Sequence, residues 1–338
     1  MQLLITGAGG YIGSVLTETC IQKGFKVIAL DRYFFGVPFQ AQPGLSVLKD
    51  DVRTVSEEVF RGVDAVIDLA ALSNDPAGDL DPDLTDSINH LGRVRIARLA
   101  KACGVSRYIL ASSCSVYGNT GSQVADENTP PNPLTCYAQA NLNAERAVFE
   151  LADRDFLVTS LRLATVYGLS KRMRFDLVVN LMTLKATQTG KILVFGGGTH
   201  FRPLVHVRDV AKAFLTVLEA EPQLVNKQVF NVGSNEQNHK IIGLAYIVRE
   251  ALPFHVEICV DYNDPDKRNY LVNFDKVHKE LGFSCNKTIH EGVAEIYNAL
   301  KQGRIDTSLR TSTVAWYKYL LEADKVLAEV KLNDRLLT

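Results

Sequence analysis

The feature that most constrains the fold is a glycine-rich turn that follows the first apolar run. Gln2–Ile5 predicts a buried strand, and Tyr11–Lys23 has the periodicity of a helix. Gly7, Gly10 and Gly13 permit a tight turn, close approach of a phosphate to the backbone, and close packing of helix on strand. The helix N-terminus adds unpaired N–H groups and a positive dipole. The pattern predicts a strand–turn–helix unit that cradles a pyrophosphate.

The alternation of short apolar runs and helical patterns continues through the first half of the chain. Further strands are predicted at Lys26–Leu30, Leu45–Leu48, Ala65–Leu69, Tyr108–Ala111 and Phe156–Arg162. Helical patterns lie at Asn89–Cys103 and Pro133–Asp153. Apolar strands joined by helices are typical of a parallel sheet that is covered on both faces. The predicted fold class is α/β, a Rossmann-type doubly wound parallel sheet with a smaller α/β lobe.

The regular alternation of strand and helix patterns ends after residue 168. We predict three parts in the chain. Residues 1–168 are predicted to form an NAD-binding Rossmann domain, to which some later segments return. Residues 169–307 mix short strands such as Lys191–Phe195 with glycine-rich loops and helices, and predict a substrate-binding lobe. Residues 308–338 predict a helical extension, either one helix or a pair.

Composition excludes several classes of protein. The 338 residues are 46% hydrophobic and 22% charged, which excludes a disordered chain. A formal net charge of -1 and the lack of an apolar run of bilayer length argue against nucleic-acid and membrane partners. No cysteine pair or histidine has metal-ligand spacing, so no metal is expected. Dispersed cysteines and the lack of a basic leader before Leu3 predict a cytoplasmic location.

A carboxylate at the end of the second strand indicates which dinucleotide is bound. Asp31 lies 18 residues after Gly13, where it can accept hydrogen bonds from the adenosine ribose and repel a 2′-phosphate. This favours NAD. Arg32 follows directly and can pair with a 2′-phosphate, so NADP remains the less favoured alternative.

Several motifs in one order make the chain resemble the extended short-chain dehydrogenase/reductase family. The residues that carry the resemblance are Thr6–Gly13, Asp51–Val52, Leu69–Ala71, Ser112–Gly118, Tyr137 and Leu161–Gly168. Tyr137 lies 24 residues after Ser113, close to the family spacing. More narrowly, the chain resembles the NAD-dependent nucleotide-sugar epimerase/dehydratase group.

The resemblance implies a set of cofactor-binding residues. In this chain they are Gly7, Gly10, Tyr11, Ile12, Gly13, Asp31, Arg32, Asp51, Val52, Leu69, Ala70, Ala71, Tyr137 and Asn141. Asp51 and Val52 resemble the pair that contacts adenine, and the Leu69 to Ala71 segment resembles the loop that passes under the cofactor. The family is usually dimeric, so a homodimer through the helices at Asn89–Cys103 and Pro133–Asp153 is expected.

The resemblance also implies a tyrosine as the acid/base, with a serine beside it. In the family, a lysine four residues after the tyrosine lowers its pKa and holds the nicotinamide ribose. Tyr137 and Ser113 match this pattern, but Asn141 stands where the lysine belongs. Asn141 can still hydrogen-bond a ribose, although it carries no charge.

Three explanations of the missing lysine are open. Tyr137 works with support from the charge of the nicotinamide, or a basic group such as Lys185 or Arg174 enters from the second lobe, or the protein binds its ligands and catalyses little. We rank slow or rerouted catalysis first, because the rest of the cofactor motif is intact.

A second difference from the family pattern bears on which reaction the chain catalyses. Sugar 4,6-dehydratases carry an acid pair after the serine or threonine, whereas this chain has Cys114 and Ser115. A buried thiol is a poor general acid. Epimerisation through a keto intermediate, or a net oxidation or reduction, therefore fits better than dehydration. Packing is the preferred interpretation for Cys114, as it is for His206.

The resemblance implies that arginines of the second lobe hold a nucleotide diphosphate. Arg202 and Arg268 resemble the family's two phosphate arginines, Asn180 its diphosphate contact, and Phe195 the residue that covers the base. With Ser113 they form the predicted substrate-binding set. Arginine suits this task because its planar fork is bidentate and always charged.

The leading hypothesis is an NAD-dependent oxidoreductase or epimerase that acts on a nucleotide-diphosphate sugar through a keto-sugar. One alternative is a catalytically impaired regulatory protein that binds NAD and a nucleotide sugar, which Asn141 favours. The other is an NADP-dependent reductase of a non-sugar carbonyl, and Arg202 and Arg268 argue against it.

Overall fold

The computed structural model describes residues 1–263, 268–332 and 335. The strands among these residues are β1 (Gln2–Thr6), β2 (Lys26–Asp31), β3 (Leu45–Lys49), β4 (Ala65–Asp68), β5 (Arg107–Ser113), β6 (Asn119–Ala125), β7 (Leu157–Leu163), β8 (Thr165–Tyr167), β9 (Lys191–Val194), β10 (Phe201–His206), β11 (Gln228–Val232), β12 (Asn238–Lys240), β13 (Glu257–Val260) and β14 (Asn269–Val272).

Helices lie between most of these strands and follow the last one. Those among the described residues are α1 (Tyr11–Gln22), α2 (Asp75–Gly78), α3 (Pro82–Asp86), α4 (Arg93–Ala102), α5 (Cys136–Phe149), α6 (Val178–Thr189), α7 (Val207–Glu219), α8 (Pro222–Val225), α9 (Ile241–Ala251), α10 (Asp275–Leu281), α11 (Ile289–Lys301) and α12 (Thr313–Val330). A π-helical turn, Ser87–Gly92, precedes α4.

The main sheet is parallel and has the strand order β3-β2-β1-β4-β5-β7-β11 in the described part of the chain. The apolar side chains of α1 and α7 pack in the core on one face, and those of α4 and α5 pack on the other. The chain runs outward from β1 to β3 and then crosses back to β4. The carboxyl ends of β1 and β4 therefore flank a switch point, where open α/β sheets bind ligands.

The second half of the chain builds smaller sheets around a separate apolar cluster. In the described residues β8 pairs with β10 and β10 with β12, while β9 pairs with β13 and β6 with β14. Helices α6, α9 and α11 contribute to the cluster. Strand β11 lies at the edge of the main sheet and pairs with β7.

The predicted Rossmann-type fold is confirmed, with corrections to two predicted helices. The pattern at Pro133–Asp153 becomes the shorter α5, because the Thr135 hydroxyl caps the backbone N–H of Ala138 and starts the helix there. The pattern at Asn89–Cys103 is divided between the π-helical turn and α4. The C-terminal extension forms one long helix, α12, after a short turn.

None of the helices in the described residues combines the length and the hydropathy that a membrane span requires.

A buried ion pair joins the sheet to α5. Arg162 on β7 donates from Nε and Nη2 to the carboxylate of Glu145 at 3.0 and 2.7 Å. Its Nη1 donates to the Tyr117 hydroxyl at 3.0 Å. Both charged side chains are almost completely buried. Breaking such a pair from one side leaves an uncompensated charge in the interior.

Arg162→Met is expected to lower the free energy of unfolding by about 3–5 kcal/mol, because Glu145 then remains buried without its partner. Urea denaturation monitored by circular dichroism measures the change. Arg154→Met is the matched control, since Arg154 pairs with Asp155 at the surface, where both side chains are exposed. Equal destabilisation by the two substitutions would contradict the role of the buried pair.

Candidate active site

A cavity of about 640 Å³ opens at the carboxyl ends of β1, β4 and β5. Its walls bring together residues that are far apart in the sequence: the glycine turn, the loop after β4, the end of β5, the start of α5 and the segment around β8. Ser113, Tyr137 and Asn141 lie on one side of this cavity. The predicted cofactor and catalytic residues therefore share one site.

The glycine turn has the backbone that the sequence predicts. Gly7 has φ of 65°, and a Cβ there would lie 2.7 Å from the carbonyl carbon of Leu69. A Cβ at Gly13 would collide with the Gly7 carbonyl oxygen. Tyr11 lines the cavity and donates its hydroxyl to the Gly168 carbonyl at 2.6 Å. A larger residue at Gly7 or Gly13 would fill the cradle at the start of α1.

The acidic residues at the ends of β2 and β3 lie at one end of the cavity. Asp31 accepts hydrogen bonds from the backbone N–H groups of Gly9 at 3.0 Å and Tyr33 at 2.6 Å, and burial raises its pKa. Asp51 accepts bonds from Arg53 and Arg32, both at 2.7 Å, and these partners hold its pKa well below the usual range. The structure thus pairs Arg32 with Asp51.

Tyr137 sits in the first turn of α5 with several charges around it. Burial of the phenol raises its pKa above the ordinary 10.0, and the Asp75 carboxylate raises it further. The Arg93 cation, a hydrogen bond with Ser113 and the Arg174 cation act in the opposite direction. At neutral pH the free protein therefore holds Tyr137 as a neutral phenol.

Asn141 has a partner that the sequence analysis missed. The Nη1 of Arg93, on α4, donates to the Asn141 Oδ1 at 2.9 Å, and Arg93 is fully buried. Asn141 in turn donates from Nδ2 to the Tyr137 carbonyl at 2.9 Å. A signal was present in the sequence, because Arg93 is in helical phase with the buried residues Ile96 and Ala97.

A second missed arginine lies across the cavity. Arg172 is 7% exposed, lines the cavity, and donates from Nη2 to the Thr313 hydroxyl at 3.0 Å. Its Nε has no hydrogen-bond partner among the described residues. Burial and the nearby Arg174 cation lower its pKa to about 10, so it remains charged at neutral pH.

The C-terminal helix α12 completes the wall beside Arg172. Tyr317, Leu320, Leu321 and Asp324 all line the cavity. The Trp316 indole anchors α12 by donating to the Phe34 carbonyl at 2.8 Å. The sequence predicted a helix here but no place for it in the site, because contacts with the loop after β2 span most of the chain.

The predicted substrate residues are divided between the cavity and its surroundings. Arg268 lines the cavity and pairs with Asp75, while Arg202 donates to the Arg268 carbonyl at 2.7 Å. Asn180 is buried outside the cavity lining, and it donates to the Tyr11 hydroxyl at 3.1 Å. Phe195 is half exposed and also lies outside the lining. The rest of the second arginine segment, residues 264–267, lies outside the described residues.

Of the two bases considered as replacements for the lysine, only Arg174 reaches the site. It lines the cavity, donates from Nη1 to the Ser73 carbonyl at 2.7 Å, and forms a fork with Asp176. The expectation for Lys185 is wrong, since it is exposed on α6 and outside the cavity lining.

Cys114 and His206, for which the sequence analysis prefers a packing role, are both buried, and neither lines the cavity. Cys114 donates to the Arg162 carbonyl at 3.3 Å, and burial raises its pKa. His206 bonds to Glu295 at 2.6 Å. Ser115 lines the cavity. In the described part of the chain, no cluster of three or more His, Cys, Asp or Glu side chains is arranged to hold a metal ion.

Comparisons with known proteins agree with this architecture. A family model described as "NAD dependent epimerase/dehydratase family" matches residues 3–233. A putative UDP-glucose 4-epimerase of Methanocaldococcus jannaschii is 27% identical over 307 residues, which cover 88% of this chain and 98% of the relative. UDP-glucuronic acid decarboxylase 1 of Xenopus tropicalis is 26% identical and covers 86% of this chain, with 71% of its own length matched.

Solved structures share the fold over most of the chain. MoeE5 in complex with UDP-glucuronic acid and NAD superposes with a TM-score of 0.80 and 26% identity, covering 90% of this chain and 100% of that one. UDP-glucose 4-epimerase of Thermotoga maritima, with UDP-glucose, has a TM-score of 0.80 and 23% identity, over 90% and 99% of the two chains.

The residues present fit a dinucleotide. The turn at Gly7 and Gly13 leaves a cradle that a Cβ would fill, and the helix behind it directs free N–H groups at an anion. The guanidinium of Arg172, which lines the cavity, is a further group that suits a phosphate oxygen. Asp31 and Asp51 lie beyond the turn with the rest of the cavity lining.

Arg172→Gln is expected to weaken NAD binding about 10- to 100-fold, because a charged donor to the diphosphate is lost. Adenosine, which has no diphosphate, should bind the variant and the wild type equally well. Isothermal titration calorimetry with both ligands makes the comparison. Lys171→Gln removes the neighbouring cation, which pairs with Glu18, and should change neither affinity. Equal losses for NAD and adenosine would exclude a diphosphate contact.

Proposed function

The chain belongs to the NAD dependent epimerase/dehydratase family, and from this premise we propose that it oxidises one carbon of a nucleotide-diphosphate sugar to a keto-sugar and then reduces it again. Its cofactor is NAD, as in the solved relatives that hold NAD and a nucleotide sugar. The net reaction under this proposal is an epimerisation. Relatives named as an epimerase and as a decarboxylase match this chain at 27% and 26% identity.

One observation carries the proposal. Tyr137 and Ser113 face the same cavity as the glycine turn, so a sugar beside the tyrosine is also beside a cofactor on the turn. Bound NAD supplies a hydride acceptor at this place. As a phenolate, Tyr137 takes the proton of the sugar hydroxyl and becomes a phenol while the hydride leaves the same carbon, and Ser113 hydrogen-bonds the reacting oxygen. Asn141 offers a donor to the cofactor ribose.

Arginines of the second lobe support the proposal that the sugar is attached to a nucleotide diphosphate. Arg268 lines the cavity, and Arg202 braces it through its backbone carbonyl. Their planar cationic groups match phosphate oxygens. Under this proposal, Arg268 is the arginine of the pair that can reach the diphosphate, because Arg202 lies outside the cavity lining.

The buried thiol at position 114 supports epimerisation over dehydration. An elimination needs an acid that faces the sugar, whereas Cys114 lies outside the cavity lining with a raised pKa. Ser115 lines the cavity, but its hydroxyl is a neutral hydrogen-bonding group and lacks the acidity of the dehydratases' acid pair.

A second candidate is a regulatory protein that binds NAD and a nucleotide sugar without turnover. The raised pKa of Tyr137 favours it, since a neutral phenol is a weak base. The two candidates differ in whether the bound sugar changes.

The deciding experiment incubates the protein with NAD and a panel of UDP- and dTDP-sugars. Absorbance at about 340 nm detects reduced cofactor, and chromatography of the same samples detects an altered sugar, because an epimerase returns the hydride quickly. An altered sugar without net NAD consumption supports the proposal. Binding with no altered sugar supports the regulatory candidate, and net accumulation of oxidised sugar makes the protein a dehydrogenase.

Tyr137→Phe is expected to lower kcat at least about 100-fold with little change in NAD affinity. The rate of sugar oxidation by the wild type should rise between pH 7 and pH 10, because the active form is the phenolate and its pKa is raised above 10.0. Stopped-flow absorbance measures the rate, and Tyr246→Phe is the control at an exposed tyrosine. A Tyr137→Phe variant that retains the wild-type rate would contradict this assignment.

A further inference from the structure

The residue that stands in for the family's lysine has a buried cation directly behind it. Arg93 is 0% exposed and lies outside the cavity lining, while Asn141 is 1% exposed and lines the cavity. The two side chains join α4 to α5 through the 2.9 Å bond from Nη1 to Oδ1. The charge is thus one side chain farther from the ligands than a lysine at position 141 would put it.

The chemistry of arginine fixes which way the Asn141 amide points. A guanidinium can only donate, so the atom that faces Arg93 must be the amide oxygen. The Asn141 nitrogen then faces the Tyr137 carbonyl, to which it donates one N–H. Its second N–H remains for a ligand in the cavity that Asn141 lines. Bonding to a cation polarises the amide and makes this N–H a stronger donor.

The counter-charge of Arg93 lies on the side away from Asn141. Asp68 approaches through Oδ2 at 3.4 Å from the Arg93 Nε, a long contact, whereas Nη1 bonds Asn141 at 2.9 Å. The same carboxylate accepts bonds from Thr6, Tyr108 and the backbone of Ala70. In the ion pair of Arg93 with Asp68, the positive end therefore faces Asn141 and α5.

Local distortion of the chain puts Arg93 on the buried face. The π-helical turn Ser87–Gly92 adds a residue to the helical path, which changes the phase of the following residues by about 100°. Asn89 holds this turn by bonding both the N–H and the carbonyl of Leu72, at 2.8 and 3.1 Å. The first residue of α4 then points between β4, β5 and α5.

Other charged groups near Tyr137 do not take the place of this cation. Asp75 on α2 opposes ionisation of the phenol, and Arg268 pairs with Asp75. Arg174 lowers the pKa of Tyr137, but it is held in a fork by Asp176 at 3.0 and 3.1 Å. The Arg93 cation lowers the pKa of Tyr137 more strongly than the Arg174 cation does.

We propose that Arg93 and Asn141 divide between them the work that the family assigns to one lysine, with Asn141 contributing the ligand-facing donor and Arg93 the positive charge behind it. Arg93 is then a positioning residue, because it acts through Asn141 and does not touch substrate. The proposal rests on Tyr137 as the acid/base of the proposed function, but its test is made without substrate or cofactor.

The test measures ionisation of Tyr137 in the free protein. All 12 tyrosines are replaced by 3-fluorotyrosine, whose phenol is more acidic, and the resonance of residue 137 is identified by its loss in Tyr137→Phe. In ¹⁹F NMR titrations, Arg93→Met and Arg93→Gln should raise the titration midpoint of this resonance by about one pH unit. Arg93→Lys keeps the charge and should leave the midpoint within about half a unit of the wild type.

Arg162→Met is the matched control, because it also removes a buried arginine from a buried carboxylate, and its partners are Glu145 and Tyr117. It should not move the midpoint of Tyr137. An unchanged midpoint in Arg93→Gln and Arg93→Met, or an equal shift in Arg162→Met, would overturn the proposal and leave Arg93 a structural residue.

A charge relocation tests the proposal by thermal stability and activity. Asn141→Lys alone should lower Tm, because it places two cations together, and adding Arg93→Met should raise Tm again although Arg93→Met alone lowers it. The double variant should also return the titration midpoint to within about half a unit of the wild type. Strictly additive Tm changes with no recovery of the midpoint would overturn the proposal. A recovered midpoint in a protein that alters no sugar would refute the proposed function alone.

Discussion

The buried carboxylate of Asp68 is the interaction on which the rest of the site depends. It ends β4 with no exposure to solvent, and a carboxylate in the interior is costly unless donors surround it. Its donors come from the neighbouring strands, the following loop and α4: Thr6, Tyr108, Ala70 and Arg93. One charge therefore holds β1, β4, β5 and α4 together at the switch point of the sheet, under the floor of the cavity.

The cavity brings charged side chains of both signs together in a chain whose formal net charge is -1. Arg172, Arg174 and Arg268 line it, and Arg93 and Arg202 lie behind its walls. Asp75 in the lining pairs with Arg268, and Asp176, outside the lining, pairs with Arg174. Further carboxylates also line the cavity: Asp31, Asp50, Asp51, Asp81 and Asp324. The guanidinium groups of Arg172, Arg174 and Arg268 in the lining suit ligands that carry phosphates. The average composition could not reveal this grouping, because the arginines come from distant parts of the sequence.

The sequence predicted the parts of the fold that depend on local patterns. Buried parallel strands are short apolar runs, and a glycine turn excludes every larger residue, so β1, β2 and the start of α1 were predictable. Arg93 and Arg172 were missed because both resemble surface residues until tertiary contacts bury them. Phe195 and Asn180 fit the family order, but the lining of the cavity does not include them. Their assignment to the substrate remains a prediction.

The position of α12 has a consequence for how the protein is made. The cavity is bounded by residues of the first strand–turn–helix unit and by Tyr317, Leu320, Leu321 and Asp324 of the last helix. Domains begin to fold from the N-terminal side during synthesis, so the main sheet can assemble while α12 is still inside the ribosome. The cleft at the switch point therefore stays open on one side until α12 has been synthesised and has left the ribosome. A chain released early would keep its sheet but lose the wall that encloses its cofactor.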